Sequence, residues 1–344
     1  MPNLKHVALA VGKSCGLFSL AASSRLRNSR VLVLGYHGVA LEDEHLWNPV
    51  QFFTADAFRR RMQMLATSGC TVLGLEEALS RVAAHTLPER TVVLTFDDGS
   101  SDFYRVVWPI LKEFGYPATL YLTTYYVEHR HPSPPGIWSY MLWKAQGSRA
   151  NARELLGKDV IFDLTDGSGR AEALRQVRSL VASEQFDGSR RYVLTEKLAH
   201  TLGLDFTMIC NSRVCQLLTP EEVSELARDG VSVQMHMHIH MSPPDREAYI
   251  NNLEENRRWI TKLTGLRPSH FCYPDGRGSE QTMGWLRSQG VVSATTSNPA
   301  LLSARTERLF IPRLMDDSNM SDTQFESWLV GIAALVPLAF KKSA

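Results

Sequence analysis

The sequence predicts an α/β fold in which a parallel sheet, covered by helices, closes or nearly closes into a (β/α) barrel. Short runs of apolar and β-branched residues alternate along the chain with longer amphipathic segments, which is the order expected of β-α-β units. The runs are continuously apolar instead of alternating with polar residues, as in strands that have helices on their outer side. A chain of 344 residues is long enough for one barrel of this kind.

The predicted strands end at polar residues. The first run, 31–37, finishes with Tyr36 and His37, and the second, 91–96, leads directly into Asp97 and Asp98. Later runs predict strands at 118–122, 231–236, 271–273 and 291–295. Because barrel enzymes place their catalytic groups at the carboxyl ends of the strands, functional residues are expected at these positions.

Helix signals separate the strands. Residues 220–229 follow Thr219, with Glu222 three residues on as in a capping box, and Gly230 ends the segment. Further helices are predicted at 55–68, 104–114 and 246–263, and the last two stop before Gly115 and Gly265. These segments complete the alternation of strands and helices.

Four parts are predicted along the chain. They are an N-terminal helical arm at 1–30, the barrel at 31–320, a polar and mostly helical insertion within it at about 147–215, and a C-terminal apolar helix at 321–344. The apolar stretch 328–340 is shorter than the roughly 20 residues that cross a bilayer, so no transmembrane span is expected. A buried helix and weak contact with a membrane surface both stay open.

Charge and cysteine content exclude several classes of protein. With 37 basic and 36 acidic side chains, the chain has no net field that would attract nucleic acid, and a neutral or weakly charged substrate fits better. The five cysteines lack the Cys-x-x-Cys spacing of zinc or redox sites. Since the N-terminus also lacks the continuous apolar core of a signal peptide, a cytoplasmic location is expected, with peripheral membrane association as an alternative.

Asp97 and Asp98 follow a predicted strand and precede Gly99. Adjacent side chains on an extended backbone point in opposite directions, so one carboxylate can bind a metal ion while the other faces a substrate. Paired acids at a strand end can also serve only as a helix cap or loop anchor. The pair alone therefore leaves both interpretations open.

Three histidines mark another strand end, His236, His238 and His240. Histidine is the commonest metal ligand, so this spacing indicates a metal site more strongly than a solvated loop. A straight strand would put all three imidazoles on one face. If the chain bends after His236, the imidazoles of His236 and His240 converge instead.

These motifs resemble those of the NodB-type polysaccharide deacetylases, also called carbohydrate esterase family four. The Thr-Phe-Asp-Asp-Gly sequence at 95–99 is similar to the first family motif, and 236–240 resembles the His-x-x-x-His second motif. Supporting matches lie at 36–39, at 109–112 with 117–119, and at 271–276, the last of which resembles the third motif. The resemblance extends from about 31 to 314.

The resemblance implies a distorted (β/α) barrel that holds one divalent metal ion, zinc foremost, with cobalt or nickel as alternatives. Its ligands would be Asp98, His236 and His240, and Asp97 would be the general base. A metal ion with three protein ligands keeps open positions, acidifies water and polarises an amide carbonyl, which agrees with this assignment.

The implied reaction is hydrolysis of acetyl groups from an N-acetylated polysaccharide or glycan, which releases acetate and a free amine. A backbone N–H near Tyr273, beside Pro274, would help the metal ion to stabilise the oxyanion.

The sequence departs from the family pattern in several places. Met237 replaces the usual Ser or Thr, no Arg adjoins the third motif, 294–299 lacks the acidic pair with Trp, and 309–314 lacks the late histidine. We therefore hypothesise that Arg313 orients Asp97 and that His37 or His238 protonates the leaving amine.

Two other interpretations of the function stay open. One is an O-acetyl esterase or amidase that acts on another acylated substrate with the same metal site. The other is a carbohydrate-binding or metal-binding relic that has lost catalysis, although the metal site does not itself need Asp97. Trp138, Tyr140 and Trp143 either stack on sugar rings or pack inside the protein.

Overall fold

Eight short strands form the sheet that carries the predicted site, and seven of them follow one another side by side. A computed structural model describes residues 4–130, 132–184 and 188–335 of the chain. Its barrel strands are β1 Leu32–Tyr36, β2 Thr91–Phe96, β3 Thr119–Leu122, β4 Ser232–Met235, β5 His270–Cys272, β6 Ser293–Thr295 and β7 Leu314–Met315. They lie in the order β6-β5-β4-β3-β2-β1-β7, and every neighbouring pair is parallel.

The edges of this curled sheet meet at one bridge. Thr295, at the end of β6, pairs in parallel with Ile311, which lies just before β7. The eighth strand of the sheet, Thr71–Val72, pairs in parallel with the start of β2. The predicted α/β class with a (β/α) barrel is therefore confirmed.

The central strands are buried along their whole length. Every residue of β1, β2 and β3 is buried, as expected of apolar runs covered on both faces. The register aligns Leu32 with Val92 and Tyr36 with Phe96, so β1 and β2 end at the same level. The residues that follow these two strands consequently emerge side by side.

The helices begin and end largely at the predicted signals. Thr219 and Glu222 form a capping box, and Gly115 and Gly265 end their helices in the left-handed conformation. The helices flanking the barrel strands are Ala55–Thr67, Leu75–Ala84, Phe103–Val107 (a π-helix), Trp108–Phe114, Pro220–Arg228, Arg246–Thr264 and Glu280–Ser288.

The described chain divides into two compact units. The first contains the barrel and takes in, of the described residues, 4–40, Pro49–Tyr125 and 218–335. The second takes in Leu41–Asn48 and Tyr126–Leu217, a wider range than the predicted insertion at about 147–215.

The second unit has a core of its own. Its helices are Glu44–Trp47, Pro134–Lys144, Arg153–Leu156, Gly167–Ser183, Gly188–Thr201 and Phe206–Ser212, and Tyr125–His129 leads into it. An antiparallel strand pair, Arg149–Asn151 with Ile161–Asp163, was not predicted from the sequence. The indole of Trp138 donates to Thr195 Oγ1 at 2.8 Å, and the Tyr140 hydroxyl donates to Asp43 Oδ1 at 2.6 Å. Both aromatic rings are buried, which favours packing over sugar stacking.

The terminal segments contain short helices. Those before the barrel are Leu4–Ser14, Leu17–Ala22 and Arg25–Asn28, and those after it are Asp322–Leu329 and Ile332–Leu335. Phe18 and Ala22 pack against Val330 in a small cluster. The rest of the predicted C-terminal apolar helix, 336–344, lies outside the described residues. Among the residues that are described, we find no helix with both the length and the apolar character needed to cross a bilayer.

Candidate active site

In the turn after β2, the carboxylates of Asp97 and Asp98 point in different directions. The Asp97 N–H donates to the Tyr36 carbonyl at 2.9 Å and so continues the pairing of β2 with β1. Asp98 then adopts a φ of 69°, and Gly99 follows with a φ of 83°. A Cβ on Gly99 would overlap Leu122 Cδ1, so the turn favours glycine for both its backbone and its space.

Asp97 is held by Arg313 in a buried bidentate ion pair. Arg313 Nη1 donates to Asp97 Oδ1 at 2.7 Å, and Nη2 donates to Oδ2 at 2.8 Å. The guanidinium also donates to Thr95 Oγ1 at 3.0 Å and to the Thr296 carbonyl at 3.1 Å. Burial raises the pKa of the Asp97 carboxyl, but the charge and hydrogen bonds of Arg313 outweigh burial, so this pKa lies below its ordinary value.

Asp98 faces two imidazoles. Its Oδ1 lies 3.2 Å from His236 Nε2 and 3.3 Å from His240 Nε2, and these two nitrogen atoms lie 3.2 Å apart. The chain bends at Met237, whose φ is 68°, so His236 and His240 converge as in the bent alternative. The His238 ring turns elsewhere, and its Nδ1 lies 2.9 Å from Thr124 Oγ1.

The tautomer of neutral His236 follows from its partner. His236 Nδ1 lies 2.9 Å from the Cys272 carbonyl oxygen, which can only accept a hydrogen bond. Nδ1 therefore carries a proton, and in the neutral ring the lone pair is on Nε2, which points toward Asp98.

The three facing atoms fit a divalent metal ion. Asp98 Oδ1 is buried and has no well-aligned hydrogen-bond partner among the described residues, so a cation would satisfy it. Ligand atoms about 2.0–2.1 Å from a tetrahedral ion lie about 3.3–3.4 Å from one another, close to the separations between Asp98, His236 and His240. These residues could hold a metal ion without rearrangement.

Two other predicted site residues are His37 and Tyr273. His37 lies near the carboxylates, and the backbone N–H of Tyr273 already has a hydrogen-bond partner. The charge of His37 contributes to lowering the pKa of both Asp97 and Asp98. The Tyr273 N–H donates to the Thr295 carbonyl at 3.2 Å, and Pro274 has no N–H. The predicted oxyanion donor at these two residues is therefore not available in this structure, because strand pairing already uses the Tyr273 N–H.

Two residues at the site, Cys272 and Asn256, were not identified from the sequence as site residues. Cys272 Sγ lies 3.0 Å from Arg313 Nη2, beside the ion pair with Asp97. Asn256 is fully buried and its side chain accepts the His236 N–H at 3.0 Å. The sequence does contain a signal for Asn256. It is a polar residue on the apolar face that Leu253 and Ile260 define on the helix Arg246–Thr264, and a polar residue at such a position needs hydrogen-bond partners.

Comparison with known proteins identifies the family of this site. The sequence profile described as Polysaccharide deacetylase matches residues 84–164 and 168–294, which is more than half of the chain. The chain belongs to the polysaccharide deacetylase family. The matched residues include both aspartates after β2 and both converging histidines.

Two curated relatives match shorter segments of this chain. The poly-beta-1,6-N-acetyl-D-glucosamine N-deacetylase of Escherichia coli K12 is 32% identical over 101 residues, 29% of this chain and 15% of that protein. The Bacillus subtilis protein YxkH is 33% identical over 75 residues, 22% of this chain and 27% of that protein. The matched segments thus make up less than a third of either relative.

Solved structures share the fold of this chain over most of its length. The Streptococcus pyogenes deacetylase PplD in complex with acetate has a TM-score of 0.58 at 19% identity, covering 90% of this chain and 99% of that one. IcaB from Ammonifex degensii has a TM-score of 0.54 at 16% identity, covering 88% and 97%. At these identities the likeness concerns the fold.

Proposed function

We propose that this protein hydrolyses N-acetyl groups of an aminosugar polysaccharide with the help of one divalent metal ion. A single observation supports this most strongly. The buried carboxylate of Asp97, paired with Arg313, directly precedes the residue whose carboxylate converges with two imidazoles. A metal-binding site alone does not need a second, separately held carboxylate at its edge.

The metal ligands in this proposal are Asp98, His236 and His240, and zinc is the proposed ion, with cobalt and nickel as substitutes. One carboxylate and two imidazoles suit zinc, and the spacing of their atoms suits a four-coordinate ion. When bound, such an ion supplies Lewis acidity, which lowers the pKa of a water molecule and polarises the amide carbonyl.

Asp97 is the proposed general base. Its lowered pKa keeps the carboxylate ionised at neutral pH, so it can accept a proton from the attacking water. Arg313 holds both carboxylate oxygens and so fixes the direction in which Asp97 accepts that proton. One water and one amide then become acetate and a free amine.

His37 is the proposed donor of the proton to the leaving amine. It follows β1, whose end lies beside the end of β2, and its charge acts on both carboxylates. His238 is the weaker candidate, because its Nδ1 is engaged with Thr124 and its ring lies edge-on to Tyr125.

The proposed substrate class is a polymer that contains N-acetylglucosamine. One curated relative is named for a β-1,6-linked polymer of this sugar, and the near-neutral charge of the chain agrees with a neutral substrate. The O-acetyl esterase remains the competing enzyme and is an outcome of the test below.

The test measures acetate release from β-1,6-linked and β-1,4-linked N-acetylglucosamine oligomers and from an O-acetylated xylan. The protein is stripped with a chelator and reconstituted with zinc, cobalt or nickel. We expect release from an N-acetylated oligomer only after metal is restored, and a decrease in kcat of about 10²–10⁴-fold in both Asp97→Asn and His37→Ala.

Three results would oppose the proposal. Stoichiometric metal binding without acetate release from any substrate would indicate a binding relic. Release from the xylan alone would indicate an esterase. A His238→Ala variant that loses activity while His37→Ala retains it would transfer the donor role to His238.

A further inference from the structure

One helix face holds the loop between the two converging histidines. The loop starts where β4 ends at Met235, turns at Met237 with its positive φ, and reaches His240. Asn252 and Asn256 lie four residues apart on the helix Arg246–Thr264, so their side chains project from the same face. Both amides bind the backbone of this loop or of the residues next to it.

Asn256 makes three hydrogen bonds with its side chain. Its Oδ1 accepts the His236 N–H at 3.0 Å, while its Nδ2 donates to the Leu122 carbonyl at 2.9 Å and to Thr124 Oγ1 at 3.0 Å. The amide therefore ties the first histidine of the loop to the end of β3. Neither a carboxylate nor a hydroxyl could reproduce both the acceptor and the two donors.

Asn252 binds the second half of the loop. Its Oδ1 accepts the Ile239 N–H at 2.9 Å, and its Nδ2 lies 3.1 Å from the Ile239 carbonyl and 3.4 Å from the Met241 carbonyl. The Asn252 main-chain carbonyl also accepts the His238 N–H at 3.3 Å. The residues on both sides of His240 are thus held by one side chain.

From these contacts we infer that Asn252 and Asn256 are positioning residues that hold the loop in the bend at which His236 and His240 converge on Asp98. This inference rests on the proposed function, since it takes these three residues as the metal ligands. Neither asparagine reaches the facing atoms of the three ligands, so each acts through the backbone that carries an imidazole.

The physical reason is preorganisation of the ligands. Met237 has a backbone conformation that residues other than glycine rarely adopt, so the bend needs support from outside the loop. Without that support His240 would sample other positions, and metal binding would have to order the loop. Partners of this kind typically change metal affinity about 10–100-fold.

The experiment compares Asn252→Ala and Asn256→Ala with Asn251→Ala. Asn251 is the matched control, because it lies on the same helix and its side chain is exposed. Zinc affinity is measured by competition with a chromophoric chelator, and the visible absorption spectrum of the cobalt form reports the ligand geometry. The thermal unfolding midpoint of each metal-free variant shows whether it is folded.

We expect about a 10–100-fold increase in the zinc Kd for Asn252→Ala, a cobalt spectrum shifted toward that of His240→Ala, and parental values for Asn251→Ala. Asn252 is only partly buried, so its variant keeps the inference testable even if Asn256→Ala does not fold. Parental affinity and a parental spectrum in Asn252→Ala would overturn the inference and leave the proposed function standing. A parent protein that binds no metal would overturn both.

Discussion

At the scale of single residues, the two neighbouring aspartates differ because their partners differ. Asp97 forms an ion pair with the guanidinium of Arg313. Asp98 instead faces two imidazoles, whose Nε2 atoms lie close to its Oδ1. The division depends on a backbone turn of two residues, Asp98 and Gly99, both with positive φ. Two chemically identical side chains can therefore have two different roles.

The ion pair between Asp97 and Arg313 predicts a clear pattern of stabilities. Arg313→Met should lower the free energy of unfolding by about 3–5 kcal/mol, because it leaves a buried carboxylate without its cation. The double variant Asp97→Asn with Arg313→Met should recover part of this loss. Urea unfolding of the metal-free proteins measures both values.

The control for that comparison is Arg305→Met, which removes an exposed arginine and should change stability by less than about 0.5 kcal/mol. Equal unfolding free energies for Arg313→Met and the double variant would contradict the expectation, because they would mean that Asp97 bears no unpaired charge in the single variant.

At the scale of elements, the turn after β2 depends on Gly99. Gly99→Ala should lower the free energy of unfolding by about 1–3 kcal/mol, since alanine is strained at a φ of 83° and its Cβ would overlap Leu122. The same variant should weaken zinc binding, because Asp98 belongs to this turn.

Gly284 provides the opposite case for the same substitution. It lies inside the helix Glu280–Ser288, and a Cβ there would meet nothing within 4 Å. Gly284→Ala should therefore stabilise the protein by about 0.5–1 kcal/mol, measured by urea unfolding beside Gly99→Ala. Effects of the same sign at both positions would show that backbone conformation does not decide these values.

The barrel elements could be predicted from the sequence because their signals are local. Continuous apolar runs indicated the strands, and Thr219, Gly115 and Gly265 marked helix ends through contacts with their own neighbours. The strand pair Arg149–Asn151 with Ile161–Asp163 was missed, since each strand has only three residues and too little pattern to recognise.

The sequence predicted which residues belong to the candidate site but not how they contact one another. Arg313 could be singled out as a charge near a late strand, but its bidentate contact depends on how β7 aligns with β1. The bend at Met237 could not be chosen from the sequence, because the side chains that hold it come from a helix further along the chain. The hydrogen bond of the Tyr273 N–H to the Thr295 carbonyl could not be foreseen either, because it depends on how the chain after β5 pairs with β6.

At the scale of the whole molecule, a buried histidine predicts how stability depends on pH. His270 begins β5, with Nδ1 2.8 Å from Ser293 Oγ and Nε2 3.3 Å from Glu76 Oε2. Burial lowers the pKa of His270, and the charge of Arg308 lowers it further, against the opposing effect of Glu76. The folded-state pKa thus lies below the unfolded-state value of about 6.5.

The sign of the effect follows from proton binding. As the pH falls below about 6.5, the unfolded chain binds the proton of His270 first, so this contribution to stability is complete above that pH and is lost below it. His270→Gln should therefore show a smaller loss of unfolding free energy between pH 8 and pH 5.5 than the parent. The control His200→Gln removes an exposed imidazole and should keep the parental difference, whereas a parental difference in His270→Gln would refute the expectation.

The position of Arg313 has a consequence for synthesis of the chain. A ribosome releases Asp97, Asp98, His236 and His240 before it releases the arginine, which precedes the strand that pairs with β1 and lies beside the bridge joining the sheet edges. A nascent chain that has not reached Arg313 carries a carboxylate without its counter-ion and a barrel with an open seam. Placement of Arg313 therefore closes the sheet and gives Asp97 its counter-ion in the same step, so an unfinished chain lacks the paired carboxylate that the proposed reaction requires.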